Sequence, residues 1–93
     1  MKFEWDEEKE RININKHGID FRTAVQVFLD ENRIEIFDKL HSIKEDRYIT
    51  IGAVGERVII ITLVYTARPG TTRVISARRA TKKERNVYYD NIL

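Results

Sequence analysis

The chain has 93 residues, enough for one domain, and folding buries roughly two thirds of the surface of a chain this short. Hydrophobic residues make up 42% and nine residues are aromatic, which excludes a disordered chain; there is no cysteine, which excludes disulfides and thiolate chemistry. The net charge of +2 hides an asymmetry: residues 1–63 carry 10 Lys/Arg against 13 Asp/Glu, and residues 64–93 carry 7 against 2.

In chain order, Phe3 to Trp5 reads as a short strand. Asp6 is an N-cap for a helix that runs to about Lys16, with Glu7 and Glu8 where the helix dipole favours anions. Gly18 supplies the left-handed stop. The apolar stripe of this helix is thin, Ile12 with Ile14. Asp20 caps a second helix, where Phe21, Ala24, Val25, Phe28 and Leu29 follow the spacing of one buried face. The period then changes to two. Strands are expected at Arg33–Asp38, Tyr48–Ala53, Arg57–Thr66 and Thr72–Ala77. His41 to Glu45 is a loop, Val54-Gly55-Glu56 a hairpin connection, and Arg68-Pro69-Gly70 a turn. The third of these strands is apolar on both faces and is expected at the centre. Thr81-Lys82-Lys83-Glu84 has capping-box spacing and opens a last helix to about Asn91. That helix carries a small apolar stripe, Val87, Tyr88 and Ile92, and is expected to be loosely held. The fold class is therefore α+β: two N-terminal helices, a four-stranded or slightly larger antiparallel sheet in meander order, and a C-terminal helix.

The two histidines have no metal-ligand spacing, and no phosphate-binding glycine loop or nucleophile elbow is present, so neither a metal nor a cofactor is expected. No apolar run is long enough to cross a bilayer and no signal peptide is evident, so a cytoplasmic protein is expected. The remaining chemistry is acid–base work and phosphate binding. Arg73 to Arg85 holds six basic side chains against one acid, and guanidinium forks bind phosphate at two points. Metal-free RNA cleavage needs little more. The 2′-hydroxyl attacks the neighbouring phosphorus, a proton is drawn off, and the charge on the phosphorane is held.

Arg68, Arg73, Arg78 and Arg79 are the candidates for holding that charge. With regular pairing Arg73 and Arg79 point one way and Arg78 the other. Two roles are open to Arg78: phosphate binding, or an ion pair with Glu84 or Asp90 that pins the last helix. Lys82, Lys83 and Arg85 are candidates for RNA docking. Tyr88 has two readings, a base-stacking platform or a core anchor. His41 and Glu45 sit in a second polar cluster with Asp38, Ser42 and Arg47; His41 is either an acid–base group or part of a loop tied by side-chain-to-backbone hydrogen bonds.

Four ordered signatures carry a resemblance. Phe3-x-Trp5-Asp6 with Asn13-x-x-Lys16-His17-Gly18 is one; Phe21 and Val27-Phe28 followed by Asp30 is another. The third is Asp38-x-x-His41-Ser42-x-x-Glu45-x-Arg47 with Gly52, and the fourth runs from Arg73 through Ile75-Ser76-Ala77-Arg78 and Ala80-Thr81 to Glu84-Arg85 and Tyr88. Together they resemble the BrnT ribonuclease toxins of bacterial type II toxin–antitoxin pairs. The resemblance implies a RelE-like fold, metal-independent endoribonuclease activity and growth arrest. It also implies a neutralising BrnA-like antitoxin with a ribbon-helix-helix domain, in a hetero-oligomer that binds operator DNA through the antitoxin. It places the basic residues of the family at Arg68, Arg73, Arg78 and Arg79. Family members often have an acid before the arginine that matches Arg68, and here that position is Ala67. If that acid is the general base of the family, this chain needs another, such as Glu45, or is a weaker enzyme. The alternative function is a non-catalytic module that grips nucleic acid or protein through the same basic face.

Overall fold

A computed structural model describes residues 1–93. Its centre is a five-stranded sheet of β1 (Phe3–Glu4), β2 (Ile34–Phe37), β3 (Arg47–Val54), β4 (Ile59–Arg68) and β5 (Thr71–Arg79). The spatial order is β1-β5-β4-β3-β2. β4 is central, as its two apolar faces require. The sheet is mixed and not wholly antiparallel. β1 joins the outer edge of β5 in parallel, pairing Phe3 with Thr72 and Glu4 with Arg73, and the Thr72 amide donates to the carbonyl of Lys2 at 2.8 Å.

One face of the sheet carries Tyr48, Val54, Ile61, Leu63, Tyr65, Val74 and Ala77 under the N-terminal helices, α1 (Glu7–His17) and α2 (Phe21–Ala24). An aromatic run crosses that face, Phe3–Phe28–Tyr65–Tyr48–Phe37, with ring centroids 5.1–5.6 Å apart. The second helix differs from the expected single α-helix. After Ala24 it tightens into a 3-10 segment, Val25–Leu29. At three residues per turn, positions three apart eclipse one another. Phe21, Ala24 and Val27 are therefore the fully buried residues, and Leu29 swings out to 82% exposure. Gly52 permits this close packing, because a Cβ there would meet Val27 Cγ2 at 2.7 Å and Arg33 Cβ at 3.0 Å.

The opposite face carries a smaller apolar cluster, Ile51, Ile60, Ala80 and Tyr88, under the C-terminal helix α3 (Lys82–Ile92). The Thr81–Glu84 capping box forms as expected. The helix is not loosely held. The Tyr88 hydroxyl donates to Asp30 Oδ2 at 2.5 Å, and Glu84 takes hydrogen bonds from Thr62 and Arg78.

β1 and β2 are shorter than the strands they flank, so parts of β5 and β3 have free edges. A side chain closes each. Asn13, buried in α1, accepts from the Ala77 amide through Oδ1 at 3.1 Å and donates through Nδ2 to the carbonyls of Ala77, at 2.8 Å, and Ile19, at 3.0 Å. Asp30 accepts from the Ala53 amide at 2.8 Å. The thin apolar stripe of α1 is thereby explained. Ile12 and Ile14 stay half-exposed, and the helix docks through an amide that substitutes for a strand partner.

Asn13→Ala leaves the buried amide and carbonyl of Ala77 without partners. The expected loss is about 2–3 kcal/mol in urea denaturation, with no change in the residues of the opposite face.

Candidate active site

The candidate side chains are sorted by one irregularity. β4 and β5 pair regularly from Ile61↔Arg79 to Val64↔Ser76, but Tyr65 then pairs with Val74. Ile75 is the extra residue of a β-bulge, and it shifts the alternation by one. Arg73 and Arg78 therefore share a face, and Arg79 points to the other. This corrects the expectation from regular pairing, in which Arg73 and Arg79 went together.

Across the face that also carries α3 runs a lateral row: Glu4 on β1, Arg73 on β5, Thr66 on β4 and Arg47 on β3. Arg68 stands two positions beyond Thr66 on the same face. Its Nη2 lies 3.3 Å from Glu45 and its Nη1 3.7 Å from Glu4, which also meets Arg73 at 3.3 Å. These ion pairs are long, and their side chains are 25–42% exposed. Such pairs are worth about 0–1 kcal/mol each. An incoming phosphate, which accepts two parallel guanidinium bonds, can displace them. Arg47 makes no ion pair and no side-chain hydrogen bond. With His41, Ile43, Lys44 and Glu45 it lines a hollow of about 360 Å³ beside the row.

His41 lies at the rim of that hollow. Its Nδ1 is 2.9 Å from Asp38 Oδ2. A carboxylate only accepts, so the proton sits on Nδ1 and Nε2 is left for other work. Ser42 Oγ donates to the Asp38 carbonyl at 2.6 Å and accepts from the Arg47 amide at 2.9 Å. The loop is thus tied to the backbone, as one reading of the sequence had it, and that tie holds His41 beside Arg47. Beneath the row, Thr66 is fully buried and its Oγ1 has no hydrogen-bond partner within the protein.

Three sequence candidates belong elsewhere. Arg78 lies about four paired positions from Arg73, roughly 13 Å along the strand. It grips Glu84 in a two-point bond of 2.7 and 3.0 Å. Of its two open roles, pinning the last helix is the one observed. The Arg78 bond comes first among the causes that hold Glu84 down at about pKa 2; burial opposes it, and the Thr81 amide and Thr62 add to it. Arg79 lines a separate groove of about 260 Å³ with Val58, Ile59, Ile60, Ala80, Arg85 and Tyr89. Tyr88 is 3% exposed and is a core anchor. It offers no ring for stacking, a correction to its candidacy as an RNA contact. Burial first, then the bond to Asp30, raises its hydroxyl to about pKa 12. Lys82, Lys83 and Arg85 are exposed on α3, and Arg85 Nη1 donates to the Ala80 carbonyl at 2.9 Å.

Arg68, Arg73, Glu45 and His41 are brought together at one end of the sheet. Sequence reasoning missed Glu4 altogether and treated Arg47 as one member of a loop cluster. The available signal for Arg47 was its place at the start of a strand, in register with Thr66 and Arg73. Nowhere in the chain do three or more His, Cys, Asp or Glu side chains gather in a metal-ligating group. No helix is long and apolar enough to cross a membrane.

A family model described as ribonuclease toxin, BrnT, of type II toxin–antitoxin system matches residues 5–84. A comparison with curated proteins finds no match.

The bond network of Glu84 has a measurable acid signature. Folding lowers its pKa from 4.5 to about 2. The folded state then binds the proton less readily than the unfolded chain, so this stability is complete above about pH 4.5 and drains away as pH falls towards 2. Glu84→Gln should be less stable than the parent by about 2 kcal/mol at pH 7, because Arg78 is partly solvent-screened. The gap should close by pH 2–3, as read by denaturation midpoints across pH.

Proposed function

The chain belongs to the BrnT family, ribonuclease toxins of type II toxin–antitoxin systems, and we propose that this member cleaves RNA without a metal on the sheet face that carries Arg47, Arg68 and Arg73. The observation that supports the reading is the row itself. Three guanidiniums, one unpaired and two in weak, exposed ion pairs, stand beside an aspartate-held imidazole. That set matches the needs of the reaction. Arg73 and Arg68 grip the non-bridging oxygens of a phosphodiester, and Arg47 neutralises charge as the phosphorane forms. The 2′-oxygen of the substrate attacks phosphorus while the P–O5′ bond breaks. His41, in its protonated form, gives the departing O5′ its proton through Nε2. The products are a 2′,3′-cyclic phosphate and a 5′-hydroxyl. Lys82, Lys83 and Arg85 lend long-range attraction to RNA and take no part in the bond changes. Arg78 supports α3, and Arg79 lies off the reacting face.

A type II system supplies a protein antitoxin. We take this one to be BrnA-like, with a ribbon-helix-helix domain through which the complex binds operator DNA. We place the toxin in the cytoplasm, where its RNA substrates are. The alternative, a module that grips nucleic acid without cutting it, uses the same arginines but has no work for the Asp38–His41 pair.

Purified protein incubated with single-stranded RNA and a chelator should release fragments with 2′,3′-cyclic phosphate ends. Arg73→Ala and Arg47→Ala should each lower the rate about 10²–10³-fold, with Arg79→Ala within a few fold of the parent. Intact RNA at every chelator and enzyme concentration, with RNA binding retained, would favour the module.

A further inference from the structure

The geometry points to Glu4 as the group that accepts the 2′-hydroxyl proton; this rests on the metal-free reading above. The candidates for that role are the carboxylates beside the arginine row, and there are two. Glu45 reaches only Arg68, at 3.3 Å, and stands on the loop side of it. Glu4 is the one carboxylate that bridges two arginines, with Oε2 at 3.3 Å from Arg73 Nη1 and Oε1 at 3.7 Å from Arg68 Nη1. A carboxylate held between two guanidiniums occupies the place where two non-bridging phosphate oxygens would sit. When a phosphodiester takes that place, Glu4 is released beside it while staying anchored through β1 to the strand that carries Arg73. It is then an unpaired carboxylate next to the reacting phosphorus, which is where a base for the neighbouring 2′-hydroxyl must stand.

Ala67 does not fill the role, having no acid, and it pairs with Thr72 on the opposite face of the sheet. The charged groups that face Glu4 are Arg73 from β5 and Arg68 from β4, with Glu45 on the far side of Arg68. In the balanced step the O2′–H bond breaks and its proton passes to the Glu4 carboxylate. The O2′–P bond forms, the P–O5′ bond breaks, and O5′ takes a proton from His41. Glu4 ends as the neutral acid and His41 as neutral imidazole, and exchange with solvent resets both.

The test is the rate against pH for Glu4→Gln, Glu4→Asp and Glu45→Gln, with folding checked by thermal melting. Glu4→Gln should lower kcat about 100-fold or more, leave KM within about threefold, and abolish the acidic limb of the profile. Glu4→Asp should restore part of the rate together with that limb, and Glu45→Gln, which loses only the contact to Arg68, should keep that limb whatever its rate. Activity of Glu4→Gln within threefold of the parent would overturn the assignment, and so would a slow variant that keeps its acidic limb, since Glu4 would then only position the arginines. In either case a dead Arg73→Ala leaves the metal-free reading standing, which separates the two failures. If Glu4→Gln melts before assay, Glu4→Asp decides: a rate within about tenfold of the parent with the acidic limb kept supports a carboxylate base there, and a loss of about 100-fold or more with the limb intact counts against it.

Discussion

One extra residue in β5 organises the molecule. Side chains alternate along a strand with a period of two, so inserting Ile75 without a partner moves every later residue to the opposite face. The consequence reaches both ends of the strand. Towards its start, Arg73 stands in line with Thr66 and Arg47. Towards its end, Arg78 turns inward to Glu84 and fastens α3, and Arg79 turns away to the side of the N-terminal helices. Without the bulge, the arginine that fastens the last helix and the arginine of the row would lie on opposite sides of the sheet.

The N-terminal third of the chain closes the sheet as well as filling its core. Asn13 and Asp30 each pair with a backbone group that no strand reaches. Asp30 does a second thing: it receives the Tyr88 hydroxyl, and so ties the C-terminal helix to the end of the 3-10 segment. Burial works against ionisation of Asp30. The hydrogen bonds from Tyr88, Ala53 and Asn32 outweigh it and leave the carboxyl below its usual range. Several residues of the four ordered signatures are thus architectural. Asn13, Gly18, Asp30, Gly52 and Tyr88 shape the scaffold, while His41, Glu45, Arg47 and Arg73 face the proposed reaction.

The sequence revealed the elements well and the assembly less well. Gly18 ends α1 at a φ of 70°, the Thr81–Glu84 box opens α3, and β4 is central, each for a local reason that can be read from residue type. The pairing of β1 with β5 joins residues about seventy positions apart over two registers, and nothing local announces it. The nearness of Glu4 to Arg73 was invisible for that reason. The bulge was equally hidden, because Val74-Ile75-Ser76 has no glycine or other local mark of an inserted residue. Asn13 stands in one of the signatures, but a buried amide on a polar helix reads as surface until its partners are known.

The division of the arginines between two faces can be observed directly. Uniformly ¹⁵N-labelled protein titrated with a short RNA methylated at the 2′-oxygens, which binds but cannot cleave, reports each guanidinium through its Nε–Hε resonance. The account predicts that the signals of Arg47, Arg68 and Arg73 shift together and saturate together, with those of Arg78 and Arg79 nearly unmoved. Shifts centred on Arg79 and Arg85, with Arg73 unchanged, would contradict it.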